Sequence, residues 1–204
     1  MTSARALTAK GAATRARIVA AAADQVLERG IGGTSLDDVR AATRTSKSQL
    51  FHYFPDGKHE LVRAIAALQG ERVLDAQRPM LDELDSWESW QRWRDAVVAH
   101  YTRVDGVRGC PIGSLTAEAA NVDADLREQL ADYWERWTAL LAAGVERLRS
   151  GGLVGEEVDP EAVATELLAA IQGGLLLARA AGTLRPLEVA LDGALDHLRA
   201  RAVG

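Results

Sequence analysis

The chain predicts an all-α fold of about nine helices, from three observations. Apolar residues recur at helical spacing along nearly all of the 204 residues, and no run alternates long enough for a useful strand. Ala, Leu, Arg and Glu dominate while proline is held to 5 residues, a composition that favours helix over strand. Helix stops punctuate the periodic stretches, among them Gly30 with Gly32 and Gly33, Pro55, Pro79 and "SGGLVGEE".

The elements follow in order. Residues 1 to 10 read as a disordered basic arm. Ile18, Ala22 and Val26 mark a first helix that stops near Gly30. "TSLDDVRAAT" opens a second: Thr34 or Ser35 caps it, Asp37 and Asp38 suit the positive end of its dipole, and Leu36 and Val39 face inward. After "TRTS" comes a short third helix capped by Ser46 and stopped by Pro55. A fourth runs from about Gly57 to Arg78, with Leu61, Ile65, Leu68 and Val73 on its apolar side. Ser86 caps a helix carrying Trp87, Trp90, Trp93, Val97 and Tyr101, which "DGVRGCPIG" interrupts. A small-residue helix spans Ser114 to Asn121, and Asp123 starts a long one through Trp134, Trp137, Leu141 and Leu148. Asp159 and Pro160 open the next, to about Ala181, and Pro186 the last. The domain reading is an arm over 1–10, a three-helix unit over 11–56, and a helical body over 57–204 whose first helix, 57–78, connects the two.

Several function classes are set aside. Cys110 is the only cysteine, so no internal disulfide forms and a reducing cytoplasm is the expected location. The N-terminus lacks the apolar core of a signal peptide, and the most apolar run, "LLAAIQGGLLLARAAG", contains Gln172 and Arg179 and is read as short of a membrane span. His52, His59, His100 and His197 are scattered, with no metal-binding spacing and no phosphate loop, so neither enzyme chemistry, a metal nor a cofactor is expected. Charge is uneven. Residues 1 to 64 hold ten Lys/Arg against six Asp/Glu, or +4, which within an overall −5 leaves −9 for the rest. A basic segment on an acidic body fits a part that meets a polyanion.

"TSKSQLFHYF" gives that part its detail. Leu50 and Phe54 stand four apart on one side of a helix, whereas Ser48, Gln49, Phe51 and His52 lie on the other, flanked by Lys47 and Tyr53. Two short capped helices joined by a four-residue turn outline a helix-turn-helix, whose second helix enters the major groove. Gln49 can address adenine, Lys47 guanine or phosphate, and Ser48 either. Phe51 can pack on a thymine methyl, and His52 and Tyr53 can reach phosphate. The competing reading is a plain amphipathic helix pair inside a larger bundle.

Residues 14 to 65 resemble the DNA-binding domain of TetR/AcrR-family transcriptional regulators, through "TRARIVAAAADQVLERGIGGTSLDDV", "SKSQLFHYF", Lys58 and Leu61. The resemblance implies a homodimer with an N-terminal helix-turn-helix and a C-terminal domain that binds a small effector. It also maps Thr34, Lys47, Gln49, Phe51, Tyr53 and Lys58 to positions that touch DNA, double-stranded operator DNA being the partner. Two features depart from the family pattern. Arg44 stands where the turn usually has glycine, so the turn is either reshaped or Arg44 itself reaches DNA; "FPDGK" is one residue longer than the common link. With "GCPIG", that link is similar to a subgroup of repressors near multidrug-efflux genes, some responsive to flavonoid-like molecules.

In the C-terminal half, Trp90, Tyr101, Trp134 and Trp137 are candidate walls of a pocket for a planar apolar molecule, with Cys110 at its rim; the alternative is that these rings fill the core. Cys110 is read either as an oxidation-sensitive thiol near Arg108 or as an inert buried residue. Gly173, Gly174, Leu177, Leu191, Leu195 and Leu198 form the expected dimer interface, packing as a four-helix bundle about a two-fold axis, against internal packing alone. No membrane partner is expected. Function then divides between a repressor released by its effector and a constitutive DNA-binding activator or architectural factor.

Overall fold

The computed structural model describes residues 7–103, 108–119 and 123–203. Among these it contains nine α-helices: α1 (Ala9–Arg29), α2 (Leu36–Thr43), α3 (Lys47–Tyr53), α4 (Lys58–Asp75), α5 (Trp87–Arg103), α6 (Pro111–Ala119), α7 (Ala124–Ser150), α8 (Pro160–Ala181) and α9 (Arg185–Arg199). A 3-10 turn, Met80–Asp82, precedes α5, and an isolated bridge pairs Val154 with Ala202. Most of the expected arm, 1–6, lies outside the described residues, and Thr8 already caps α1 through the Gly11 N–H. Part of "DGVRGCPIG" lies outside them too, and α6 begins earlier than expected, at Pro111.

The chain forms two compact units. One comprises Met1–Gln69 with Ser114–Gln129, the other Gly70–Gly113 with Leu130–Gly204. The first unit therefore reaches beyond the helix-turn-helix proper and recruits a second stretch of chain. Its core joins Ile18, Ala22 and Val26 of α1 to Val39, Leu50 and Phe54, and to Leu61, Ile65 and Ala66 of α4. Polar groups reinforce the packing. Arg17 Nη1 donates to the Thr43 carbonyl at the end of α2, 2.5 Å away, and the Arg15 guanidinium lies over the Phe54 ring at 4.9 Å.

The turn between α2 and α3 keeps a left-handed residue despite the missing glycine. Arg44 sits at φ 52°, ψ 38°, the only non-glycine with positive φ among the described residues. Its neighbours hold it there: the buried Thr43 and Thr45 hydroxyls lie 2.8 Å apart, and Thr43 also donates to the Val39 carbonyl. Arg44 thus takes up the left-handed conformation that a glycine would adopt freely.

The second unit packs α5, α7, α8 and α9 around Trp90, Trp93, Trp137, Leu141, Ile171, Leu187 and Leu191. Trp93 donates its indole N–H to Gln77, whose amide in turn donates to the Val73 carbonyl, so this buried polar group is satisfied. Arg94 grips Asp192 with two hydrogen bonds, of 2.6 and 2.8 Å, tying α5 to α9. One expectation needs correction: by length and composition α8 does suffice to cross a membrane. Its eight buried residues, however, pack within the unit, as in a core helix of a water-soluble protein. Gly174 explains how closely α8 and α9 approach, since a Cβ there would fall 2.6 Å from the Leu187 Cα.

Two stability predictions follow from this packing. Gly174→Ala gains ~1 kcal/mol of helix propensity but forces the α9 backbone away, so the net result is a loss of about 1–2 kcal/mol, read as a lower urea midpoint. Arg44→Gly relieves a left-handed L-residue and adds about 1 kcal/mol of stability, read as a higher urea midpoint.

Candidate nucleic-acid interface

Helix α3 is built from its two ends. Ser46 caps it in a reciprocal box: the Ser46 hydroxyl accepts the Gln49 N–H, and the Gln49 side-chain oxygen accepts the Ser46 N–H, both at 3.1 Å. Leu50 and Phe54 are wholly buried, which fixes the rotation of the helix. Lys47, Ser48, Gln49, Phe51 and His52 are then exposed, with Tyr53 half-buried and His52 edge-on to it at 5.1 Å. Phe51 is 40% exposed, a large apolar ring facing water with no core to fill. An exposed face of amide, hydroxyl, ammonium and aromatic groups has the chemistry to read base edges and phosphates. Arg44 is exposed beside it.

Two of the expected contacts change character. Thr34 is 4% exposed and donates its hydroxyl to the Gly30 carbonyl at 3.0 Å, closing the α1–α2 turn. The start of α2 is instead capped by Ser35, whose hydroxyl and N–H both bond the Asp38 carboxylate. That bonding holds Asp38 below the usual carboxylate range, so a phosphate arriving there meets a negative group. Thr34 is thus a structural residue, not a phosphate ligand in this conformation. Gln49 remains on the surface, but its oxygen already serves the capping box. Bidentate contact with adenine must use the second lone pair of that oxygen.

Lys58 opens α4 and lines a cleft of about 440 Å³ with Ile31, Gly32, His59, Glu118 and Leu126. Beside it His59 Nδ1 lies 3.2 Å from Asp123, which also accepts the Leu126 N–H at 3.0 Å. The Leu126 N–H, then His59 and Arg63, lower the Asp123 pKa. Glu118 and Asp123 belong to this unit although they follow α4 by some distance in sequence; Asp123 reads in the sequence only as a helix start, and no local pattern marks Glu118.

In the second unit the candidate pocket residues separate. Trp90 is 1% exposed and lines a cavity of about 240 Å³ with Trp87, Gln91, Asp192, Leu195 and Arg199. Tyr101 and Cys110 are buried against one another, and burial above all, then the thiol, raises the Tyr101 pKa well above its ordinary value. Trp137 is buried and stacks on the half-buried Trp134, with centroids 5.9 Å apart and planes within 7°. Neither the cleft nor the cavity just described is lined by Tyr101, Cys110, Trp134 or Trp137.

The expected interface residues separate as well. Leu191 and Leu198 are buried in their own chain, and Gly174 lies against α9, so none of the three is available to a second copy. Gly173 and Leu177 are exposed and Leu195 is half-buried; Leu176 and Val189, outside the expected set, are 70% and 52% exposed. Among the described residues no group of three or more His, Cys, Asp or Glu is placed to hold a metal ion.

Comparison with known proteins agrees with this geometry. Residues 18–65 match the model for bacterial regulatory proteins of the tetR family, and residues 87–192 match that for the C-terminal domain of LmrA/YxaF-like transcriptional regulators. An HTH-type transcriptional regulator of Mycobacterium tuberculosis is 29% identical over 187 residues, covering 86% of this chain and 89% of its own. The HTH-type transcriptional repressor DhaR of a Mycobacterium species is 25% identical over 164 residues, 79% of this chain and 80% of that protein. The crystal structure of a TetR transcriptional regulator from Chloroflexus aurantiacus superposes with a TM-score of 0.80 at 26% identity, covering 96% and 98% of the two chains. A capped recognition helix with an exposed polar and aromatic face, followed by a helical body that matches over more than half the chain, makes this protein a member of the TetR family of DNA-binding transcriptional regulators, with an LmrA/YxaF-like C-terminal domain.

Proposed function

We propose that the protein is a homodimeric, cytoplasmic repressor, released from a palindromic operator by a small apolar or planar effector. The observation that carries the dimer is the exposure of Leu176 and Leu177 on α8 and Val189 on α9, at 70%, 60% and 52%. Covering such side chains in a second copy gains roughly 25 cal/mol for each Å² removed from water, and a two-fold axis gives two recognition helices for two half-sites. Effector binding is supported by three buried donors without partners in the second unit, Trp90 Nε1, Trp137 Nε1 and Gln172 Nε2. A ligand carrying acceptors would repay their desolvation. Release requires only that effector and DNA favour different conformations; a coupling of ~1–3 kcal/mol weakens DNA binding roughly five- to 150-fold.

One observation favours the constitutive alternative. Trp90, Trp93, Tyr101 and Trp137 are 0–4% exposed, and the cavity beside Trp90, about 240 Å³, falls below the roughly 300–1,000 Å³ usual for ligand pockets. Selection of a duplex from a random-sequence pool, followed by binding at fixed salt with a panel of planar apolar compounds, separates the two. Loss of binding with one compound, accompanied by a change in tryptophan fluorescence, supports release; binding that no compound alters supports the constitutive factor.

Three outcomes are expected with the selected duplex. Gln49→Ala loses about 1–3 kcal/mol of discrimination against a scrambled duplex, measured by fluorescence anisotropy. Lys58→Ala weakens both duplexes alike and lowers the slope of log affinity against log salt by about 1. Leu176→Glu with Leu177→Glu shifts the protein from dimer to monomer in sedimentation equilibrium, and a wild type that is already monomeric would overturn the dimer.

A further inference from the structure

We propose that Glu118, at the end of α6, is a positioning residue for DNA binding: its carboxylate holds the α1–α2 turn from which the helix-turn-helix begins. The Ile31 N–H donates to Glu118 Oε2 at 2.6 Å, across 87 residues of sequence. Among the described residues this is the only hydrogen bond that reaches the backbone of residues 30–33 from outside α1 and the turn itself; the remainder involve Val26, Ile31 and Thr34.

The turn is shaped for that contact. Gly30 adopts φ 75°, ψ 171°, a conformation almost confined to glycine, and a Cβ there would fall 2.9 Å from the Glu118 carboxylate. Glycine thus supplies the backbone angle and the room for the acid. Packing on the other side is thin: Gly32 and Gly33 are exposed, Gly32 has open space around it, and the 440 Å³ cleft borders Ile31 and Gly32. A turn with so few contacts needs a directional bond to choose one conformation.

Within the same unit, Asp123 and the start of α7 are held against α4. Asp123 bonds His59, and Gln129 Nε2 donates to the Arg63 carbonyl at 3.1 Å. From the clamp, the order passes along the chain. Ile31 sets the turn, Thr34 closes it on Gly30, and Ser35 caps α2, which the Arg44 turn joins to the recognition helix. The proposal rests on α2 and α3 being the DNA-reading pair and adds a residue that does not touch DNA.

Charge and position predict opposite signs, which makes the test sharp. Glu118 is negative, so on electrostatics alone its removal favours a polyanion. As a positioning residue, its removal weakens site-specific binding. The experiment measures affinity of the full-length protein for the selected duplex and a scrambled duplex, with hydrogen exchange at the Ile31 amide. Glu118→Ala is expected to bind the selected duplex about tenfold more weakly, with faster exchange at Ile31 and an unchanged thermal midpoint, as befits an exposed bond. Glu118→Gln keeps an acceptor oxygen and restores both readouts. Glu118→Lys, with two units of charge favouring DNA, still loses selected-duplex affinity. Wild-type or tighter binding by Glu118→Ala and Glu118→Lys overturns the proposal. So does a Gln variant as weak as the Ala variant, or an Ile31 amide whose exchange is the same in all four proteins.

Discussion

Burial of Leu50 and Phe54 is the constraint from which the exposed face of α3 follows. An α-helix advances 100° per residue, so placing two residues four apart against the α1 core leaves no freedom for the rest of the turn. Lys47, Ser48, Gln49, Phe51 and His52 are outside because Leu50 and Phe54 are inside. The helix is only seven residues long and could not hold that orientation in isolation. Its two caps and the apolar pair do so together, and the left-handed Arg44 sets the angle at which the preceding helix arrives.

What the sequence made legible had a period or a cap. The stripes of α1, α4, α7 and α9, the Ser46 cap and the Pro160 helix start all rest on residues within a turn or two of one another. What it hid depends on contacts across long separations. Thr34 looked like a helix cap facing phosphate, but Ser35 was the equally suitable neighbour, and tertiary folding chose between them by burying Thr34. Gln49 was read as free for bases although the S-x-x-Q spacing of a capping box was present in "SKSQ". Adjacent glycines 173 and 174 are indistinguishable in sequence; a rotation of 100° places one against Leu187 and the other in open space.

The second unit shows why aromatic content alone is a poor guide to a ligand site. Three tryptophans and Tyr101 are consumed by the core, and Trp93 has its indole N–H satisfied within the protein. Trp90 and Trp137, with Gln172, each retain a buried donor without a partner. In a closely packed interior such donors are the costly exceptions.

The discontinuity of the first unit bears on how such regulators exchange parts. Residues 114–129 belong with the helix-turn-helix, yet they are encoded within the stretch that matches the C-terminal family. A chimera joined after α4 would therefore inherit its Leu126 packing, its Asp123–His59 pair and its Glu118 contact from a different parent than the helices they support. Recombination between relatives would then be filtered by compatibility at these few positions, and the recognition head and this small part of the body would be inherited as one module.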